Sequence, residues 1–219
     1  VTGRFIVLDG PSGVGKTTVT ALLTRLLTDA GWSVHQTKEP TTTAIGQTAR
    51  YGTDEYRGLT LACLVTADRY HHLDTEIRPA LDADKVVLCD RYLPTSLVLQ
   101  QLDEVDHDYI WALNRYIRLP DLTVILTGDP TRSRNRAAER GIHSRFHRGG
   151  AEAGIQERDL YLQVAEELAE AGFPVHVHEI GDQRQDEVAI ELFTRIRTLL
   201  THVPNGQTPT TVADLIRES

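Results

Sequence analysis

The stretch "FIVLDGPSGVGKTTVTALLTRLL" (residues 5–27) leaves this chain few folds to adopt. Gly10, Gly15, Lys16 and Thr17 satisfy G-x-x-x-x-G-K-[ST], and Gly13 adds backbone freedom inside the loop. An apolar run precedes the motif and an amphipathic helical pattern follows it, so the segment reads strand, loop, helix. In that setting the backbone N–H groups of the loop, through Val14 and on to Thr18, cradle phosphate oxygens at the positive end of the helix dipole. Lys16 reaches the terminal phosphates, and the Thr17 hydroxyl ligates a magnesium ion.

Apolar runs place strands at 4–9, 33–37, 85–90, 122–127 and 175–179. Helical periodicity fills the gaps: a first helix from the glycine loop to Asp29, one long helix over 59–82, and others near 95–101, 108–118, 131–139, 157–171 and 185–200. Strands alternating with helices predict an α/β fold, a mostly parallel five-stranded sheet covered on both faces, with ligands at the strand carboxyl ends. The length of 219 residues fits one domain, read as 1–200, followed by a polar, loosely attached tail at 201–219. A formal net charge of -8 argues against a nucleic-acid polymer as partner. No stretch reads as a signal peptide or membrane span, so the expected location is cytoplasmic, with no membrane partner. Cys63 and Cys89 each fall in an apolar stretch and are expected as packed free thiols.

Two further signals concern phosphate. In "KVVLCDRY" (85–92) a buried strand delivers Asp90 and Arg91 to the sheet edge that faces the loop. There Asp90 orients the magnesium shell and Arg91 clamps an anion through two parallel hydrogen bonds. The arginine-dense "DPTRSRNRAAERGIHSRFHRG" (129–149) has no core pattern and reads as a basic flap that excludes water. Arg69, on the long helix, has a second reading as a surface partner of Asp68 or Asp74. His71 and His72 are adjacent on a helix and share no face, which disfavours a metal site. "VHVH" (175–178) alternates, with its histidines expected outward.

In order and spacing, these pieces together with "KEPTTTAIGQTAR", "TADRYHH", "IRPAL", "DRYLPTSLVLQ" and "RAAERG" followed by "YLQVA" resemble the thymidylate kinase family of P-loop nucleoside monophosphate kinases, over roughly residues 4–200. The resemblance implies a P-loop NTPase fold with a flap, ATP and Mg²⁺ as cofactors, a pyrimidine (deoxy)nucleoside monophosphate as phosphate acceptor, and a homodimer through the long helix. It further implies that Arg91 holds the acceptor phosphate, that Arg69 points towards the base, and that Thr95, Ser96 and Gln100 lie near it. Lys38, Glu39 and Pro40 would line the acceptor side. Arg136, Arg140 and Arg145 match catalytic flap arginines, since members with glycine at the Gly13 position draw their catalytic cation from the flap.

The departures from the family pattern gather at the nucleoside end. Ser12 stands where an acidic residue commonly meets the sugar hydroxyl, Val65 where a phenylalanine stacks on thymine, and Leu99 where a tyrosine packs by the sugar. Ser144 and His147 occupy flap positions that are often Asp and Glu. A site without those contacts is expected to use thymidine monophosphate weakly, which leaves a modified nucleotide or another phosphorylated metabolite as the alternative acceptor. A nucleotide-dependent switch is the reading from another class. The chain has no N-K-x-D motif to read guanine, and Arg91 with the flap suits a second anionic substrate.

Overall fold

A computed structural model of the chain describes residues 3–139, 144–147, 150–201 and 211–213. In chain order the elements are β1 (Arg4–Asp9), α1 (Lys16–Asp29), β2 (Val34–Lys38), α2 (Ala44–Tyr51), α3 (Gly58–His72), α4 (Arg78–Asp82), β3 (Val86–Asp90), α5 (Leu93–Leu99), α6 (His107–Leu113), β4 (Leu122–Thr127), α7 (Pro130–Glu139), α8 (Ala151–Glu170), β5 (Val175–Glu179) and α9 (Gln185–Thr201). A π-helical turn, Leu73–Ile77, joins α3 to α4, and a 3-10 turn, Arg145–His147, precedes α8. The five strands are all parallel in the order β2-β3-β1-β4-β5.

Alternation along β1 divides the core. Phe5 and Val7 enter one cluster with Leu73, Ile77, Tyr161 and Leu168, while Ile6 and Leu8 enter the other with Leu23, Leu27, Val188 and Leu192. Helices therefore cover both faces, and β1, β3 and β4 are apolar almost throughout because neither face meets water. The chain leaves the central strand β1 towards β2 and later crosses to β4 on its other side. That reversal opens a crevice at the carboxyl ends, where β1 ends on Asp9 and β3 on Asp90.

Several expectations are corrected. The long helix over 59–82 exists as one helical path, but a π turn interrupts it. Helix α2 has no counterpart in the sequence reading; it is eight residues long, buries only Gly46 and Ala49, and is started by the Thr43 hydroxyl accepting from Gly46 N. Helix α6 stops at Leu113 rather than running to Arg118, because the Asn114 side chain turns back to donate to Ile110 O. Helix α8 starts six residues before Glu157. Cys89 is buried, but Cys63 is exposed beside Tyr109, on the face of α3 turned from the core. His178 is buried and hydrogen bonded to Gln183 while Val177 is exposed, since the edge strand β5 turns the histidine face towards α9. Within the expected tail, Val212 and Ala213 are buried, and Ala213 N donates to Arg115 O, so that part is docked on the core. Among the described residues, no helix is long and apolar enough to cross a membrane.

Gly10 makes the turn out of β1 possible: its φ is 139°, and a Cβ there would overlap Leu126 O. Gly10→Ala is expected to destabilise the chain by on the order of 2 kcal/mol or more in urea unfolding; a loss within experimental error would show that the turn has room to relax.

Candidate active site

The phosphate loop is arranged around a helix end with no side-chain cap. Gly15, at φ 116°, begins α1 without a capping side chain, and the first turn holds no acidic residue, which is the environment an anion requires. Lys16 is buried and donates from Nζ to Gly10 O (2.7 Å) and Pro11 O (2.8 Å). Thr17 Oγ1 donates to Asp90 Oδ2 (2.5 Å), and Asp90 Oδ1 is buried with no hydrogen-bond partner among the described residues. A hydroxyl and a carboxylate with one oxygen left unpartnered form a hard oxygen donor set of the kind that suits Mg²⁺. Val14 packs into the core beneath the loop, and Thr18 is exposed on the first turn of α1.

Asp9 was not marked by the sequence reading, yet it joins the loop to everything around it. It is fully buried and accepts from Gly10 N (2.8 Å), Thr95 Oγ1 (2.7 Å) and Tyr161 Oη (3.1 Å) at Oδ1, and from Tyr92 N and Thr95 N (both 3.0 Å) at Oδ2. Burial, reinforced by the Asp9 charge, holds the Tyr161 pKa well above its ordinary value, so the phenol stays a donor. Immediately before Tyr92, Arg91 adopts φ 78°, a conformation that costs a non-glycine residue on the order of 1–3 kcal/mol. The twist aims its guanidinium at Thr95 Oγ1 (3.1 Å) and Tyr161 Oη (3.5 Å). Burial works to lower the Arg91 pKa, but Tyr161 and the carboxylates of Asp9, Asp90 and Glu157 outweigh it and keep the cation firmly charged.

A cavity of about 520 Å³ opens from this point. At the loop it meets Ser12, Gly13, Thr17, Asp90 and Arg91, and further on Lys38, Glu39, Pro40 and Thr95. Val65, Arg69, Leu99 and Gln100 also line it, so nearly all the acceptor-side residues expected from sequence converge on one space. Gln100 Oε1 is buried without a hydrogen-bond partner among the described residues. Ser96 is the exception: it is buried outside the lining, where its hydroxyl accepts from Arg69 Nη2 (2.9 Å).

Arg69 does not pair at the surface with Asp68 or Asp74. It is 1% exposed and donates to Glu39 Oε2 (2.8 Å), Asn114 Oδ1 (2.5 Å), Tyr92 O (2.9 Å) and Ser96 Oγ (2.9 Å), so most of its donors are committed to the protein. Asp68 instead accepts from Thr41 and Thr43 at the start of α2, and buried His72 braces Glu39 and Thr37. Besides Asp9, two further site residues escaped the sequence reading. Arg50 lines the cavity and donates to Pro40 O (2.8 Å); burial, then the neighbouring Arg91 charge, lower its pKa. Glu157 accepts from Ser12 N and Ser12 Oγ (both 3.0 Å), so a carboxylate from α8 stands directly behind the serine that replaces the expected acid.

The flap arginines separate. Ala137 of α7 lines the cavity, and α7 lies so close to Gly13 that a Cβ there would overlap Ser133 O. Arg136 is exposed on that helix, and Arg140 lies outside the described residues. Arg145 is not at the phosphate loop. Its Nε donates to Thr53 O (2.6 Å), its Nη2 to Asp103 Oδ2 (2.5 Å), and its backbone N to Thr53 Oγ1 (3.1 Å), so it is a latch and not a free catalytic cation. The sequence reading missed this because Asp103 and Thr53 are distant in the chain.

Comparisons with known proteins agree with this geometry. The family model "Thymidylate kinase" matches residues 8–175. A probable thymidylate kinase from Pyrococcus abyssi is 34% identical over 196 residues, 86% of this chain and 95% of that one. A thymidylate kinase from Leifsonia xyli is 36% identical over 210 residues, 89% and 94% of the two chains. The solved thymidylate kinase of Candida albicans superposes with a TM-score of 0.76 over 96% of this chain and 98% of its own, at 19% identity, which bears on the fold alone. With the strand–loop–helix motif, the Asp90–Arg91 edge and the flap in one cavity, the chain belongs to the thymidylate kinase family of P-loop nucleoside monophosphate kinases.

Proposed function

We propose that this chain transfers the γ-phosphoryl group of ATP to the phosphate of thymidine monophosphate. The observation that carries the reading is that the phosphate loop and a second cationic pair, Arg91 and Arg50, open into the same cavity. A hydrolytic switch has no need of a second anion site beside its phosphate loop. The names and extensive coverage of the relatives support thymidine monophosphate as the acceptor. A homodimer through α3, on which Leu59 is exposed, and a cytoplasmic location complete the reading.

The chain's own groups divide the work. The loop N–H groups at the head of α1 bind donor phosphates, and Arg91 with Arg50 receives the acceptor phosphate, so the two reacting groups are held facing each other. Thr17 and Asp90 would hold Mg²⁺, which when bound neutralises charge on the β- and γ-oxygens. Because the acceptor phosphate is already ionised, no side chain has to remove a proton. Arg136 and Arg140 are the flap cations assigned to meet charge developing in transfer. Lys16 is tuned by burial first and by Arg91 second, which bring its pKa from 10.5 down to about 7. Donor phosphates favour its charged form, so nucleotide binding recruits the cation where it is needed.

That tuning has a signed consequence for stability. Between pH 7 and 10.5 the unfolded chain keeps the Lys16 proton that the folded chain has lost, so stability rises with pH across this window. Below the window both states are protonated, and the cost of a buried ammonium is fully present. Lys16→Met is expected to flatten the rise in urea unfolding between pH 6.5 and 9 and to lower kcat by at least about 100-fold. An unchanged slope would deny the buried cation, and near wild-type turnover would remove the loop from the donor site.

Assay of ADP release against a panel of deoxy- and ribonucleoside monophosphates tests the function itself, with thymidine monophosphate expected to give the highest kcat/KM. ATP hydrolysis that no monophosphate stimulates would contradict the kinase reading. In the same assay Arg91→Ala is expected to raise KM for the acceptor by about 10- to 100-fold, the scale of a lost charge-assisted pair, and KM for ATP far less. Equal losses for both substrates would put Arg91 on the donor side.

A further inference from the structure

We infer that Phe146, carried by the flap, supplies the flat face on which the acceptor base stacks, taking over from the aromatic residue that α3 lacks at Val65. The inference rests on the kinase reading above and deepens it by naming a specificity residue outside the acceptor helices.

The argument begins with where the 3-10 turn is fastened. Asp103, four residues past the end of α5, accepts both from Arg145 Nη2 and from Gly58 N at the start of α3, each at 2.5 Å. Thr53, in the connection between α2 and α3, receives Arg145 Nε and N. The turn is thereby tied to the far end of the cavity from the phosphate loop, where Leu61 and Val65 follow Gly58 on α3 and Leu99 precedes Asp103 on α5. All three of those wall residues are aliphatic. Phe146, half-buried, lines the same cavity as they do.

The ring also has a fastened neighbour. The Arg145 guanidinium carbon lies 4.3 Å from the Phe146 ring centroid, and that arginine is pinned by Asp103 and Thr53. A stacked guanidinium on a fixed salt bridge orients the ring before any ligand arrives, which limits the entropy lost on stacking. A planar heterocycle entering between Val65 and the flap meets one π face and one aliphatic wall. Gln100 also lines the cavity, and its buried Oε1 has no hydrogen-bond partner among the described residues, which leaves it an acceptor for a ring N–H once the side chain turns towards the ligand. The expectation of weak thymidine monophosphate use, drawn from Ser12, Val65 and Leu99, leaves this face out.

The test compares kinetics with direct binding. Phe146→Ala is expected to raise KM for thymidine monophosphate about 10-fold, the scale of one lost stacking contact, with KM for ATP changed less than about twofold. Phe146→Tyr should stay near wild type, and Phe146→Ala combined with Val65→Phe should recover most of the loss by restoring a ring in the same cavity. Phe146→Trp supplies a readout that needs no turnover: thymidine monophosphate should quench its added fluorescence, and deoxyribose 5-phosphate should not. Trp32 and Trp111 pack against Phe193 and Phe173 in the core layers and serve as the background. An unchanged acceptor KM in Phe146→Ala, equal rises in both KM values, or no base-dependent quenching would overturn the inference while leaving the kinase reading standing. No monophosphate-dependent ADP formation by the wild-type chain would overturn both.

Discussion

One buried carboxylate sets the geometry on which the site depends. Asp9 closes β1, and its two oxygens receive five donors from the phosphate loop, the turn after β3, the first turns of α5, and α8. A carboxylate removed from water is tolerated only when its lone pairs are filled, and here donors from four parts of the chain fill them. The bonds to Tyr92 N and Thr95 N fix the backbone that follows Arg91, while Arg91 N donates to Leu8 O, and together they hold that residue at a positive φ. Donor loop and acceptor clamp are thus two branches from one anchor, and their spacing does not depend on loop flexibility.

From this anchor the arginines acquire different tasks by burial and partner count. Arg69 is enclosed, with donors committed to Glu39, Asn114, Tyr92 and Ser96, and it ties α3 to the loop after β2 and to α5. Removing it would strip buried Glu39 of its guanidinium partner and leave its carboxylate His72 alone among the described residues, a larger loss than that of an exposed ion pair. Among the described residues Arg91 has only hydroxyl partners, at one end of its guanidinium, and it lines the cavity, so it can meet a ligand. Arg145 spends its charge on Asp103 and thereby fastens the flap turn. Residue type alone would have given all three the same role.

This explains what could be read from the sequence. The sheet, the phosphate loop and the Asp90–Arg91 edge rest on contiguous patterns, in which a run of apolar residues delivers a polar group at its end, and each stands where its pattern put it. Asp9 lies inside the quoted motif but looks like an ordinary strand terminus, because its partners are 83 to 152 residues away, apart from Gly10. Glu157 sits in an amphipathic helix, and nothing local signals that it faces Ser12 across 145 residues. Helix α2, with two buried residues in eight, carries too little periodicity to be seen. Arg145 had the right composition for a flap cation, but its role was decided by Asp103, which reads in sequence as one more surface acid.

The central claim is that Asp9 positions both substrates at once, and Asp9→Asn tests it most directly. The amide keeps the size of the carboxylate but sets an NH₂ against N–H and O–H donors. Urea unfolding should show a loss on the order of 3 kcal/mol, and steady-state kinetics on the remaining folded enzyme should show KM raised for ATP and for thymidine monophosphate together, with kcat reduced. Unchanged stability, or a rise in only one KM, would contradict the account, because the two halves of the site would then be positioned independently.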